Sequence, residues 1–144
     1  MRIILSILCF SVCFPVDCEN WYTKINDACY YFPDLYVLQN IIDVNESLSS
    51  AEPLEIGIQI WTEGRLTVLS LTDNQLTAIP ENIGDLSSLE RLWLISNQLT
   101  ILPVSICNLP STCDIKVSNN QLCEEYHYDC IDIRGRVVEV LLNS

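Results

Sequence analysis

The constraint that most limits how this chain can fold is a periodicity. Placing Leu66 over Leu89 sets an offset of 23 residues. Leu69, Leu71, Asn74, Leu76, Ile79, Pro80, Ile83 and Leu86 then fall on Leu92, Leu94, Asn97, Leu99, Leu102, Pro103, Ile106 and Leu109. A further step lands on Ile115, Val117, Asn120 and Leu122, and the triplet NQL recurs at 74–76, 97–99 and 120–122. So many coincident positions define two full repeats, 66–88 and 89–111, and a half-repeat, 112–122. Within each repeat the leucines at the LxL step alternate with outward residues, the period of two that marks a strand. One such unit cannot cover its own apolar face, so successive units must stack. The asparagines sit where the chain turns inward and must be hydrogen-bonded once buried, which predicts a structural ladder along Asn74, Asn97 and Asn120. Pro80 and Pro103 set the turn that leaves the sheet.

The pattern L-x-x-L-x-L-x-x-N-x-L, followed by IP or LP, closely resembles the leucine-rich repeats of the 23-residue kind over residues 64–122. The resemblance implies an α/β fold: a short solenoid with a parallel β-sheet on its concave face and a helical or 3₁₀ segment opposite. Such a fold needs both ends covered. Residues 18–63 are expected to form the N-terminal cap. Within it, residues 34–48 carry apolar side chains at 35, 38, 41, 42 and 48, which predicts an amphipathic helix with Asp34 as its N-cap. Trp61, Gly64 and Arg65, just ahead of the first leucine, resemble the lead-in of secreted members of the family. Residues 123–144 are expected to form a Cys-bearing C-terminal closure, although no C-x-C pair is present. Residues 133–144 read either as a last strand or as a helix through Ile133, Val137 and Leu141.

The first 17 residues read as a signal peptide. Arg2 precedes an uninterrupted apolar stretch from Ile3 to Phe14, too short to span a bilayer but suited to an export signal. Small residues at Ser11 and Cys13 allow cleavage near 13, and cleavage near 17 or 18 is equally compatible. Cys9, Cys13 and Cys18 each lack the small preceding residue of a lipoprotein signal. The expectation is a secreted chain with no transmembrane span once processed. Of eight cysteines, Cys18, Cys29, Cys107, Cys113, Cys123 and Cys130 remain if cleavage precedes Cys18, and five, one of them unpaired, if it follows Cys18. An even number in an exported chain makes these six disulfide candidates, with connectivity open.

Net charge is −12 with only seven basic residues, which excludes nucleic acid and anionic membranes as partners. Catalysis finds little support. There is no P-loop, GxSxG, HExxH or CxxC motif. The single histidine, His127, lies among Glu124, Glu125 and Asp129 without zinc-type spacing, so a hydrolase using His127 is a remote alternative and neither metal nor cofactor is expected. Asn45-Glu46-Ser47 is an N-glycosylation sequon whose other reading is helix-end chemistry.

What remains is a binding face. Residues between the inward leucines project from the sheet: Val68, Ser70, Thr72 and Asp73, then Arg91, Trp93, Ile95 and Ser96, then Asp114, Lys116, Ser118 and Asn119. Trp93 and Ile95 break a polar pattern, and aromatic and arginine side chains dominate binding energy at interfaces. The expectation is a non-enzymatic module that binds a protein or peptide through Arg91, Trp93, Ile95, Ser96, Ser70, Thr72, Lys116 and Ser118. Two alternatives stand beside it. In one, the tail at 133–142 covers Trp93. In the other, the chain is a surface or matrix protein that assembles by stacking. Arg91 and Asp114 are also placed to form a cross-strand ion pair.

Overall fold

The computed structural model describes residues 18–122. The expected signal peptide, His127, Cys123, Cys130 and the expected C-terminal closure lie outside these residues. The described chain begins with a β-hairpin, β1 (Tyr22–Ile25) and β2 (Ala28–Tyr31), antiparallel in register Tyr22↔Tyr31. Asn26 and Asp27 both take positive φ, 49° and 65°, as a tight hairpin turn requires, and short polar side chains tolerate that conformation best. A Cys18–Cys29 disulfide ties the start of the described chain to β2.

Helix α1 (Phe32–Asp43) follows without a linker. Pro33 sits in its first turn, where a missing N–H costs nothing. Leu35, Val37, Leu38, Ile41 and Ile42 are buried, the stripe that spacings of three and four place on one face. The structure corrects the sequence expectation at both ends. The N-cap residue is Tyr31, with no side-chain cap bond, and Asp34 does not cap the helix. Asp34 is 1% exposed, and its carboxylate accepts from Arg65 Nε at 2.9 Å, Arg65 Nη2 at 3.3 Å and the Leu66 backbone N–H at 3.0 Å. The helix ends at Asp43, and Leu48 is buried from a separate 3₁₀ turn, Glu46–Leu48.

Between them stands Asn45, 1% exposed. Its Nδ2 donates to the carbonyls of Ile41 and Ala78 at 2.8 and 2.9 Å. Its Oδ1 accepts from the N–H groups of Thr77 and Ala78 at 2.8 and 3.2 Å. The sequon asparagine is therefore a clamp between the end of α1 and the first repeat. Asn45→Ala strands two part-buried N–H groups, each worth the lower part of about 1–3 kcal/mol. It is expected to lower stability by about 2–4 kcal/mol in urea titration, while Ser47→Ala, which removes the sequon, leaves stability unchanged; a silent Asn45→Ala would refute the clamp.

The second sheet has four strands in the order β3 (Ile58–Thr62), β4 (Arg65–Ser70), β5 (Arg91–Trp93), β6 (Asp114–Lys116). The last three are parallel, in register Val68↔Arg91↔Asp114 and Ser70↔Trp93↔Lys116. Strand β3 is antiparallel to β4, so the hairpin turn Glu63-Gly64 lies across the expected boundary between residues 63 and 64. Gly64 has φ of 76°, and a Cβ there would collide with the Cys29 carbonyl and the Tyr22 ring. Only glycine fits where this turn meets the first hairpin.

Behind the sheet the chain returns through 3₁₀ turns, Glu81–Asp85 and Val104–Asn108, each preceded by a proline, Pro80 or Pro103. Gly84 lets these two turns touch, since a Cβ there would strike the Ser105 carbonyl. Every leucine and isoleucine assigned inward from Leu66 to Leu109, with Ile115 and Val117, is buried in one core. The same core takes in Val37, Leu38, Ile41, Ile42 and Leu48 from α1 and its following turn.

The asparagine ladder forms at Asn97 and Asn120. Asn97 Oδ1 accepts from the N–H groups of Asn74 and Leu76, and its Nδ2 donates to the Leu71 and Leu94 carbonyls. Asn120 repeats this against Leu99 N–H and the Leu94 and Val117 carbonyls. Asn74 does not extend the ladder: its Nδ2 donates to the Thr72 carbonyl, its own neighbour in sequence. The strand before it, β3, runs antiparallel and brings no equivalent loop to receive its amide.

Candidate functional site

The parallel strands expose one face of the sheet, and the expected residues come together there. Cross-strand neighbours on one face of a sheet stand about 4.5–5.5 Å apart at Cβ, so the register defines rows. One row is Ile60, Val68, Arg91 and Asp114; the next is Ile58, Ser70, Trp93 and Lys116. Beyond the strands the same face continues into Thr72, Ile95 and Ser118, all half-buried. Asp73, Ser96 and Asn119 follow with positive φ of 55–56°, where the chain bends back toward the asparagines.

Four details correct or add to the sequence expectation. First, Ser70 and Val68 lie on this face but are buried, at 7% and 9% exposure. Ser70 sits in register between Ile58 and Trp93, whose larger side chains overtop it, and its hydroxyl is 3.3 Å from that of Thr72. Ser70 therefore lines the floor and offers no contact to a large partner. Second, Asp114 does not pair with Arg91. It accepts a hydrogen bond from Trp93 Nε1 at 3.1 Å and stands 3.9 Å from Lys116 Nζ. Lys116 also lies 5.1 Å from the centre of the Trp93 ring, at cation–π range. The indole is half-buried and held at its N–H and its face by β6. Third, Cys113 is buried in the core. Cys107, like Cys18 and Cys29, is disulfide-bonded.

Fourth, the face is wider than the repeats alone supply. Ile58 and Ile60 of β3 point outward and are 68% and 50% exposed. Their partners on the strand point the other way: Gln59 Nε2 donates to the carbonyls of Pro53 and Ile56, and Trp61 Nε1 donates to Gln59 Oε1. The strand thus turns its half-buried amide and indole inward and exposes its isoleucines. The IxI alternation at 58–60 was the signal available in sequence.

A concavity of about 530 Å³ opens at the end of α1, lined by Asp43, Glu46 and Glu52 among others. No group of three or more His, Cys, Asp or Glu suited to a metal ion occurs among the described residues. Within the same residues no helix is long and apolar enough to cross a membrane.

Searches of curated proteins and of solved structures return no match. A family model described as "Leucine rich repeat" matches residues 64–122, the segment that builds β4, β5, β6 and the asparagine ladder. That match and the recurring geometry of β4, β5 and β6 make residues 64–122 similar to leucine-rich repeats.

Proposed function

We propose that this chain is an exported, disulfide-stapled leucine-rich-repeat module that binds a protein or peptide on the concave face of a short solenoid. Leucine-rich repeats commonly mediate protein–protein interaction, and the observation that carries the reading here is the sheet face itself. Ile58 and Ile60 are exposed beside Arg91 and Trp93, the residue types that concentrate binding energy. Export is supported by the apolar stretch Ile3–Phe14 and by the Cys18–Cys29 disulfide. On this reading α1 and the first hairpin act as the N-terminal cap.

Partner capture from extracellular fluid by the immobilised chain tests the proposal. Trp93→Ala is expected to weaken capture at least about tenfold, the loss usual for a central aromatic anchor. Arg91→Ala is expected to act in the same direction, with the circular-dichroism melt of each variant near that of the parent. If both variants retain full capture, the sheet face is not the binding site. A second reading, assembly of copies by stacking, is favoured by one feature: β3 is an edge strand with two exposed isoleucines and no charged residue. Light scattering across a concentration series separates the two, because only assembly makes mass rise with concentration.

A further inference from the structure

The described residues contain Lys24, Arg65, Arg91 and Lys116 as their basic side chains. Lys24 pairs with Asp27 at 3.4 Å, Arg65 with Asp34 at 2.9 Å and Lys116 with Asp114 at 3.9 Å. Arg91 is the cation among the described residues with no carboxylate within ion-pair distance. It is exposed at the centre of the sheet face, between Val68 and Asp114 in its row and one row from Trp93. Asp114, its neighbour in register, is already engaged by Trp93 Nε1 and Lys116.

From this arrangement we infer that the partner presents an extended segment in which an acidic side chain, flanked by apolar ones, meets Arg91. The inference rests on the proposed binding at the sheet face and names the chemistry of its occupant. The guanidinium is a planar fork suited to a carboxylate, and Arg91 stands in register between Val68 and the already engaged Asp114, with Trp93 two residues along its own strand. Apolar side chains of the partner cover Ile58 and Ile60 and exclude water from the ion pair, which strengthens it. The local preference opposes the global one. A chain of net charge −12 attracts basic ligands at long range, so selection of acidic ones must come from the site.

The test is selection of displayed random dodecapeptides on the full chain, run in parallel on Trp93→Ala, Arg91→Ala and Arg91→Glu. The expected result is a set of Trp93-dependent peptides enriched in Asp or Glu between apolar residues. Replacing the acid by its amide in a selected peptide should weaken binding about 10- to 100-fold on the parent chain and hardly at all on Arg91→Ala. Selection on Arg91→Glu should enrich Lys or Arg at the same position. Trp93-dependent peptides without acidic enrichment, or with enrichment that survives Arg91→Glu, would overturn the acidic partner while leaving the sheet face as a binding site. Failure to select any Trp93-dependent peptide would overturn both.

Discussion

Asp34→Ala is expected to be the most damaging single substitution in the N-terminal part, costing about 3–5 kcal/mol. The carboxylate is 1% exposed and serves three donors on another element: two nitrogens of Arg65 and the Leu66 N–H. Those donors belong to β4, the first strand of the parallel sheet, so Asp34 bolts α1 to the repeats. Removing it leaves the half-buried Arg65 guanidinium, which also lies 4.1 Å over the Tyr31 ring, without its anion. In the parent chain the hydrogen bond to Asp34 raises the Arg65 pKa; without Asp34 the guanidinium still stays charged, because arginine is not deprotonated in proteins, and it cannot escape the loss by releasing a proton. It also orphans the buried Leu66 N–H. Urea titration at unchanged slope reads the loss directly. The double variant Asp34→Ala/Arg65→Met is expected to recover part of it, because no unpaired charge remains; what it does not recover reports the Leu66 N–H. A loss below about 1 kcal/mol in Asp34→Ala would show that the pair contributes little beyond its desolvation cost.

Asp34 also shows where sequence reasoning reaches its limit. The segment Pro33-Asp34 carries a helix-start signal, and α1 does begin there. The side chain, however, answers to Arg65, 31 residues away, and no local rule weighs a distant guanidinium against a nearby N–H. The repeats were legible for the opposite reason. Each inward leucine is fixed by a period that recurs, so Leu69, Leu92 and Ile115 reinforce one another and all are buried. Short elements outside the period went unread. Strands β1 and β2 have four residues each, and their turn, Asn26-Asp27, is a weak signal without flanking alternation. Strand β3 is more instructive. It does alternate, but with isoleucine outward and Gln59 and Trp61 inward, so the rule that apolar residues face the core assigns it the wrong face. That inversion leaves Ile58 and Ile60 beside Arg91, and the binding face was underestimated by one strand. Arg91 and Trp93 were legible because the repeat marks their positions as free. The engagement of Asp114 with Trp93 was not, since it depends on which rotamers two neighbouring rows share.

In the repeats themselves the largest loss is expected at Asn97. Asn97→Ala removes one side chain and five hydrogen bonds: two accepted by Oδ1 from Asn74 and Leu76, and three donated by Nδ2 to the carbonyls of Leu71, Leu94 and Ile95. Backbone groups in this position have no alternative partner, because the chain is bending from the sheet toward the core and neither strand nor helix bonding is open to them. Two stranded N–H groups at about 1–3 kcal/mol each, plus the weakened carbonyls, set the expected cost at about 3–5 kcal/mol. Asn74→Ala supplies the control within the same motif. Its amide donates only to Thr72, in a half-buried loop, and no donor in β3 depends on it, so its loss should stay below about 1 kcal/mol. Chemical denaturation of the two variants side by side therefore separates position in the sequence motif from hydrogen bonds in the fold. Equal losses would mean that the asparagines stabilise the turn locally. A loss several times greater at Asn97 is what a cross-repeat ladder requires, because each amide there closes the repeat before its own and Asn74 has an antiparallel strand behind it.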